Sequence, residues 1–376
     1  MSEKIKPGGD QAKGENTALK ERDKGNTNQN IKQNPEQKKP AINLTGIPAP
    51  RSARERMEAG AKLPPIQCLI GTVWLSGELH IHFGDNGAGK SIMAVQWAIC
   101  LCEGKRLFGH LDNDCGPLTG IYYDFELTDR QVYQRYTDLT TGTEYPWPEN
   151  LSYDTISWDQ LDEMNPGIDI LTLVLAKIEH DVKEKEAKFI VIDNISYLSM
   201  KSTSDAEVAL KIMRGLDALK KNLGISILVL AHTPKIDYSV PITINNLAGS
   251  KMLSNFIDSA STLGKSTLAV DARYLKQCKQ RADVQLYSTD HVLVLKLSKN
   301  FNFTGFEMDG TGSEYDHLAR KGKPKEDPNL ARKLEAVELK KQLIPIREIA
   351  KKLGVGKSTV AEWLKEMRVP ETDVPF

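Results

Sequence analysis

Three copies of Gly-Lys-Ser, at Gly89-Lys90-Ser91, Gly264-Lys265-Ser266 and Gly356-Lys357-Ser358, raise the question of which could hold a phosphate. Such an anion needs several backbone N–H groups turned inward, which a glycine-rich curve between a strand and a helix supplies. The spacing that builds this curve is G-x-x-x-x-G-K-[ST]. Gly84-Asp85-Asn86-Gly87-Ala88-Gly89-Lys90-Ser91 satisfies it, whereas Ser259 and Lys351 stand where the other two copies would need their first glycine. In this arrangement Lys90 reaches the β- and γ-phosphates, Ser91 ligates Mg²⁺, and the amides of Asn86, Gly87, Ala88, Gly89, Lys90 and Ser91 cradle the oxygens. ATP and Mg²⁺ are the expected ligands.

Mg²⁺ asks for a further carboxylate at the end of a neighbouring buried strand. "FIVIDN" offers Asp193 after four apolar residues. Hydrolysis also needs a group that orients and deprotonates water. "IYYDFELTDRQ" offers Glu126 as the candidate base; Asp124 points to the same face by alternation, so the choice between the two stays open. His232, closing "ILVLAH", is placed to donate to the γ-phosphate and report its loss.

These side chains need a scaffold of alternating strands and helices. "GELHIHFG" is a strand ending at Gly84, with Leu79, Ile81 and Phe83 on one side and His80 and His82 between them. "KSIMAVQWAICLCEG" is a helix closed by Gly104, "GIYYDFE" a strand, and "TDRQVYQRYTD" a helix opening on Thr128. "IDILTLVLAKIEHDVKEKEA" is helical, "KFIVIDN" a buried strand, "SDAEVALKIMRGLDALKKNLG" a helix capped by Ser204 and ended by Gly224, and "ISILVLAHT" a strand. This order implies parallel pairing with helices on both faces. Beyond Ser261 the strands shorten ("STLGKST", "DARYLKQCKQR", "HVLVLKLS", "FTGFEMD") and read as antiparallel, giving a mixed, mainly parallel α/β sheet.

The formal charge of zero conceals a polarity: 13 Lys/Arg against 8 Asp/Glu in residues 1–62, 23 against 33 in 63–317, and 14 against 9 in 318–376. Basic ends suit nucleic acid, while the acidic middle requires any polyanion to meet a local basic patch. Five cysteines without a C-x-x-C pair suit free thiols in a reducing cytoplasm. No apolar run approaches the roughly 18 residues of a membrane span and no signal segment opens the chain, so a cytoplasmic protein without a membrane partner is expected. Residues 1–45 read as a disordered polar tail, 46–62 as a lead-in with a short helix at Ser52–Ala61, 63–320 as the nucleotide domain, 321–329 as a linker and 330–376 as a small helical domain.

"GDNGAGKS", the strand ending in Glu126, "VIDN", the strand ending in His232 and "KQCKQR" occur in an order that resembles RecA-like hexameric ATPases of the DnaB and RepA helicase type, over residues 63 to 310. The resemblance implies a RecA-like P-loop fold, a ring of subunits, site residues acting in trans and single-stranded DNA in the ring channel. "ELTDRQVYQR" places Arg135 beside the nucleotide as the DnaB-type pattern does. Lys279 and Arg281 of "KQR" would cross a subunit boundary onto the neighbour's γ-phosphate. The channel loops would be 199–204 with Lys201, and 233–246 with Lys235 and Tyr238. There is no counterpart of the DnaB N-terminal helical domain and no primase zinc pattern, which brings the compact RepA type, or a mobile-element ATPase built on it, nearer.

"IREIAKKLGVGKSTVAEWLKEM" resembles a helix-turn-helix, with Ile346, Ile349, Leu353, Val355, Val360, Trp363 and Leu364 as its core, Ala350 at the crossing and Gly354 in the turn. Its second helix would offer Lys357, Ser358, Thr359, Glu362 and Lys365 to a DNA major groove. The sequence thus points to an ATP-driven DNA motor, most simply a replicative helicase of a plasmid or mobile element. The rival is an ATP-switched DNA-binding recombination accessory or regulator without processive unwinding.

Overall fold

The computed structural model describes residues 45–46, 48–198, 203, 205–249, 251–319, 330–342 and 344–366. The expected tail, up to residue 44, and the expected linker 321–329 lie outside the described residues. The chain divides into two units between Leu63 and Pro64. In the first, α1 (Ala53–Ala61) opens on Ser52, whose side chain and that of Glu55 form a reciprocal capping box, and none of its residues is buried.

The second unit runs β1 (Cys68–Ile70), β2 (Trp74–Leu75), β3 (Leu79–Gly84), α2 (Lys90–Glu103), β4 (Gly120–Asp124), α3 (Asp129–Arg135), β5 (Thr137–Asp138), β6 (Thr143–Glu144), β7 (Leu151–Asp154), α4 (Trp158–Met164), α5 (Ile170–Lys185), β8 (Phe189–Asp193) and α6 (Ala206–Leu223). It continues through β9 (Ser226–His232), α7 (Lys251–Phe256), β10 (Ser259–Lys265), β11 (Ala272–Gln280), β12 (Val292–Asn300), β13 (Phe303–Gly312) and α8 (Glu314–His317). Nine strands form one sheet in the order β13-β12-β11-β10-β3-β9-β8-β4-β7. From β10 to β7 all neighbours are parallel; from β10 to β13 all are antiparallel. The sheet is thus mixed and mainly parallel, as expected, with the Gly84–Ser91 loop joining β3 to α2.

The central strands are buried on both faces, as parallel sheets require. Ile190 and Ile192 of β8 face α5 and α6, whereas Phe189 and Val191 join the α2 side. His80 and His82 also lie on the α2 side and are fully buried. Each has a hydroxyl partner on β10: Ser259 and Ser261 for His80, and Ser261 for His82, all at 2.8 Å. Burial drives the His82 imidazole down to about 3, so these histidines are neutral core residues.

Three local expectations change. β10 is parallel to β3 rather than antiparallel, because α7 carries the chain back across the sheet after β9 and a helical crossover restores the strand direction. α6 is capped by Asp205, which accepts from the N–H groups of Glu207 and Val208; the expected cap, Ser204, lies outside the described residues. Edge strand β7, hidden behind Pro146 and Pro148, pairs with β4 and was not legible.

The C-terminal helices α9 (Leu330–Lys341), α10 (Ile346–Leu353) and α11 (Lys357–Glu366) pack on a core of their own. Ile349, Ala350, Val360, Trp363 and Leu364 are buried in it, with Ile346, Leu353 and Val355 partly buried alongside. Gly354 ends α10 in the left-handed region (φ 65°) and donates its N–H to Ala350 O. α9 adds Ala336 and Leu339, completing a three-helix unit around the helix-turn-helix.

Candidate nucleotide site

Parallel pairing brings the C-terminal ends of β3, β4, β8 and β9 to one edge of the sheet, and Gly84, Asp124, Asp193 and His232 stand at those ends. That edge is where open α/β sheets take ligands. A cleft of about 370 Å³ opens there, lined among others by Gly87, Gly89, Lys90, Ser91, Glu126 and Asp193. Arg135 and Asn86 also line it, as does Leu297 from β12, which the sequence did not reveal.

The loop from Gly84 to Ser91 curves from β3 into α2. Gly89 adopts φ 103°, and a Cβ there would lie 2.6 Å from Phe306 Cζ, so the position needs glycine twice over. Two members drop out of the expected cradle. The Asn86 N–H donates to Asp85 Oδ1 (2.8 Å), while Ala88 is fully buried and donates its N–H to Asp85 O (3.2 Å). Lys90 Nζ donates to Gly84 O (3.0 Å) and Asp85 O (3.1 Å) and approaches His232 Nδ1 at 3.3 Å. Burial lowers the Lys90 pKa, against the pull of Asp193, Glu126 and Asp85.

The second Gly-Lys-Ser is no phosphate loop, yet it serves this one. Lys265, at the end of β10, donates to Asp85 Oδ2 (2.9 Å) and Asn86 O (2.6 Å). Arg273 of β11 donates its Nε–H to Ala88 O at 2.9 Å. The third copy lies at the turn into α11.

Asp193 is 2% exposed, and its Oδ2 accepts the Tyr122 hydroxyl at 2.8 Å. Burial pushes its pKa up to about 6, opposed by hydrogen bonds from Ser91 and Tyr122. A buried carboxylate with this much unmet charge beside a serine hydroxyl at a helix start is a donor set suited to Mg²⁺.

The two carboxylates left open on the β4 edge have different surroundings. Asp124 is buried, and its Oδ1 accepts the N–H groups of Glu126 (2.8 Å) and Leu127 (2.9 Å) while Oδ2 accepts the Tyr153 hydroxyl. Its lone pairs fix the turn after β4. Glu126 instead faces the cleft, where Oε1 accepts from Asn194 Nδ2 and lies 3.4 Å from His232 Nε2. The His232 hydrogen bond holds its pKa below the ordinary carboxylate value, against the opposing effect of burial. Asn194, next to Asp193 in "VIDN", lies 3.0 Å from His232 Nε2 and joins the two side chains; sequence reasoning passed over it.

The basic segment on β11 divides by role. Arg273 braces the loop as described, and Lys276 forms a buried ion pair with Glu314 while donating to Ile242 O (2.7 Å). Lys279 donates to Ser254 O (2.7 Å) and Ile257 O (2.8 Å) at the end of α7. The Arg281 side chain is 51% exposed, donating to Asn255 O (2.7 Å) with Asp258 at 3.7 Å. Ser259 pairs with both His80 and Gln280, so Gln280 is level with a residue four positions before Gly84. Lys279 and Arg281 therefore sit about 13 Å along the strands and two strand spacings, about 10 Å, across them from their own phosphate loop.

Of the expected channel loops, Lys201 lies outside the described residues, while Tyr238 turns back so that its hydroxyl donates to Asp85. A second hollow, of about 390 Å³, lies between α4, α5 and α6; of its five carboxylates Asp169 and Asp205 cap helices and Glu207 pairs with Lys211 at 2.9 Å. The five cysteines are free, and no helix among the described residues is long and apolar enough to cross a membrane.

Comparison with known proteins adds two family matches. Residues 327–368 match the Homeodomain-like domain family, over the helix-turn-helix. Among solved structures, a KaiC-like protein from the hyperthermophilic archaeon Pyrococcus horikoshii OT3 is 14% identical, with 65% of this chain and 99% of that one covered at a TM-score of 0.43. No curated protein matches the chain. Residues 48–237, which carry the phosphate loop, Glu126, Asp193 and His232, match the AAA domain family, and the chain belongs to it.

Proposed function

We propose that the chain is an ATP-dependent motor acting on DNA, of the RepA/DnaB replicative-helicase type and serving a plasmid or mobile element. It hydrolyses ATP at the boundary between two copies of itself in a ring, taken to be a hexamer. Lys90, with the amides of Gly87, Gly89 and Ser91, holds the phosphates, and Ser91 and Asp193 hold Mg²⁺, which supplies neutralisation of phosphate charge. Arg135 and Leu297 flank the nucleotide. Glu126 orients water and accepts its proton; its exposure to the cleft favours it over Asp124, whose oxygens are spent on the turn and on Tyr153. His232 transmits the state of the γ-phosphate, a role supported by its contacts with both Lys90 and Glu126.

The observation that carries the reading is the remoteness of Arg281 from its own loop. A half-exposed guanidinium this far from its own loop supports action on a neighbour's site, where a cation stabilises the transferring phosphoryl group and makes hydrolysis depend on assembly. Lys279, tied to the end of α7, supports the strand that presents it. Loop 233–246 would face single-stranded DNA in the ring, and α11 would face duplex DNA.

The test mixes two inactive variants. Lys90→Ala loses nucleotide binding, and Arg281→Ala binds nucleotide without hydrolysing it. Mixed rings regain turnover wherever an intact site meets an intact Arg281; no recovery at any ratio refutes action in trans. The helix-turn-helix supports a second reading, a DNA-bound accessory or regulator switched by ATP, and failure to displace a strand from a forked duplex would favour it.

A further inference from the structure

The loop that follows β9 is fastened to the phosphate loop at two points. The Thr233 N–H donates to Gly84 O at 3.2 Å, and the Tyr238 hydroxyl donates to Asp85 Oδ2. Its far side is anchored separately. Ile242 donates its N–H to Glu314 Oε1 (2.7 Å) and accepts from Lys276 through its carbonyl (2.7 Å), within the buried Lys276–Glu314 pair. The Ala319 N–H donates to Tyr238 O at 2.7 Å. Between the anchors the chain exposes Val240.

Asp85 is where this loop meets the cradle. One carboxylate oxygen holds the Asn86 N–H, and the other holds both Tyr238 and Lys265. Lys265 in turn holds Asn86 O, so the carboxylate, the cation and the phenol fix both sides of the Asn86 peptide. The same carboxylate is a negative charge next to a site built for a polyanion, and its partners decide how much of that charge reaches the phosphates. Lys265 comes from β10 and is rigidly placed. Tyr238 comes from a connecting segment, and although Ala319 holds its backbone carbonyl, its hydroxyl reaches Asp85 at the far end of a rotatable side chain, which makes it the partner whose contact can be exchanged.

We propose that Tyr238 is a positioning residue for the nucleotide site: through its bond to Asp85, loop 233–246 and the phosphate loop each set the conformation of the other. The proposal rests on the reading that Gly84–Ser91 holds ATP. It makes the loop tip the place where a bound polymer changes nucleotide affinity, because a contact that draws Tyr238 away leaves Asp85 with one partner fewer beside the phosphates. Affinities change reciprocally, so nucleotide orders the loop to the same degree.

The test uses the full chain and a non-hydrolysable ATP analogue, following amide exchange in peptides spanning residues 84–91 and 233–246. In the unmodified protein the analogue slows exchange in both segments. In Tyr238→Phe it slows exchange at 84–91 only, and KM for ATP rises about tenfold, the factor one hydrogen bond to a charged group supplies when made in one of two states. Asp85→Asn, which keeps an acceptor for the hydroxyl, retains the effect on 233–246, and Asp85→Ala loses it. Tyr238→Phe with unchanged KM and undiminished slowing at 233–246 overturns the proposal. Absence of any analogue effect at 84–91 in the unmodified protein instead overturns the ATP reading itself.

Discussion

Asp193→Asn should make the nucleotide-free protein more stable at pH 8 while abolishing its activity. Asp193 is 2% exposed, and burial raises its pKa from 3.8 to about 6. Between those values the folded chain binds the proton more tightly than the unfolded chain, so stability falls as pH rises through the window and stays at the lower level above it. A shift of roughly two units at 1.36 kcal/mol each corresponds to about 3 kcal/mol. An asparagine, having no charge to bury, recovers up to that amount at pH 8, about half of it at pH 5, and almost none below pH 4. The figure is an upper bound, because the amide must still present an oxygen to the Tyr122 hydroxyl. For a domain of this size each kcal/mol moves the melting temperature by about 2–4 °C, so a rise of up to about 10 °C is expected. Unfolding in chelator at pH 5 and pH 8 measures it, and a second series with Mg²⁺ and ATP should stabilise the parent and not the variant. A variant no more stable than its parent at pH 8, or a difference independent of pH, refutes the argument that Asp193 is held ionised against its surroundings for a cation.

Glu126→Gln keeps a partner for Asn194 and His232 but cannot take a proton, so ATP binding should persist while kcat falls by about 10²–10⁴, as judged by nucleotide titration beside turnover. Equal losses in binding and turnover would show a structural role instead. Trp363→Ala removes a buried aromatic from the three-helix core and should cost about 3–5 kcal/mol there; duplex DNA binding should fall while ATP binding at the loop is retained. Loss of both would contradict a separate core.

The phosphate loop was legible because its chemistry is local. Eight consecutive residues contain the glycines, the lysine and the hydroxyl, and the flanking periodicities place them between a strand and a helix. Asp193 was legible for a related reason, since four apolar residues before a carboxylate force it to the tip of a buried strand. The C-terminal core was equally clear, its apolar residues obeying a single helical period across a glycine turn. What remained hidden depends on register. In sequence, Arg273, Lys276, Lys279 and Arg281 are four similar cations on one strand. They separate only when β11 is aligned against β10 and the chain some 40 residues later supplies Glu314 as the partner of Lys276.

That sorting also explains why an acidic domain keeps so many cations on one strand. Three are consumed internally: Arg273 on the phosphate loop, Lys276 in the core and Lys279 on the carbonyls that end α7. Removing any of these strips partners from buried or half-buried polar groups, so their loss reads as instability. Arg281 differs because its bond to Asn255 O is exposed and readily replaced by water, and its ion pair with Asp258 is long (3.7 Å). A guanidinium held this loosely can leave its own chain at little cost. Of the four, it is therefore the one whose release costs this chain least, as the proposed action across a boundary requires.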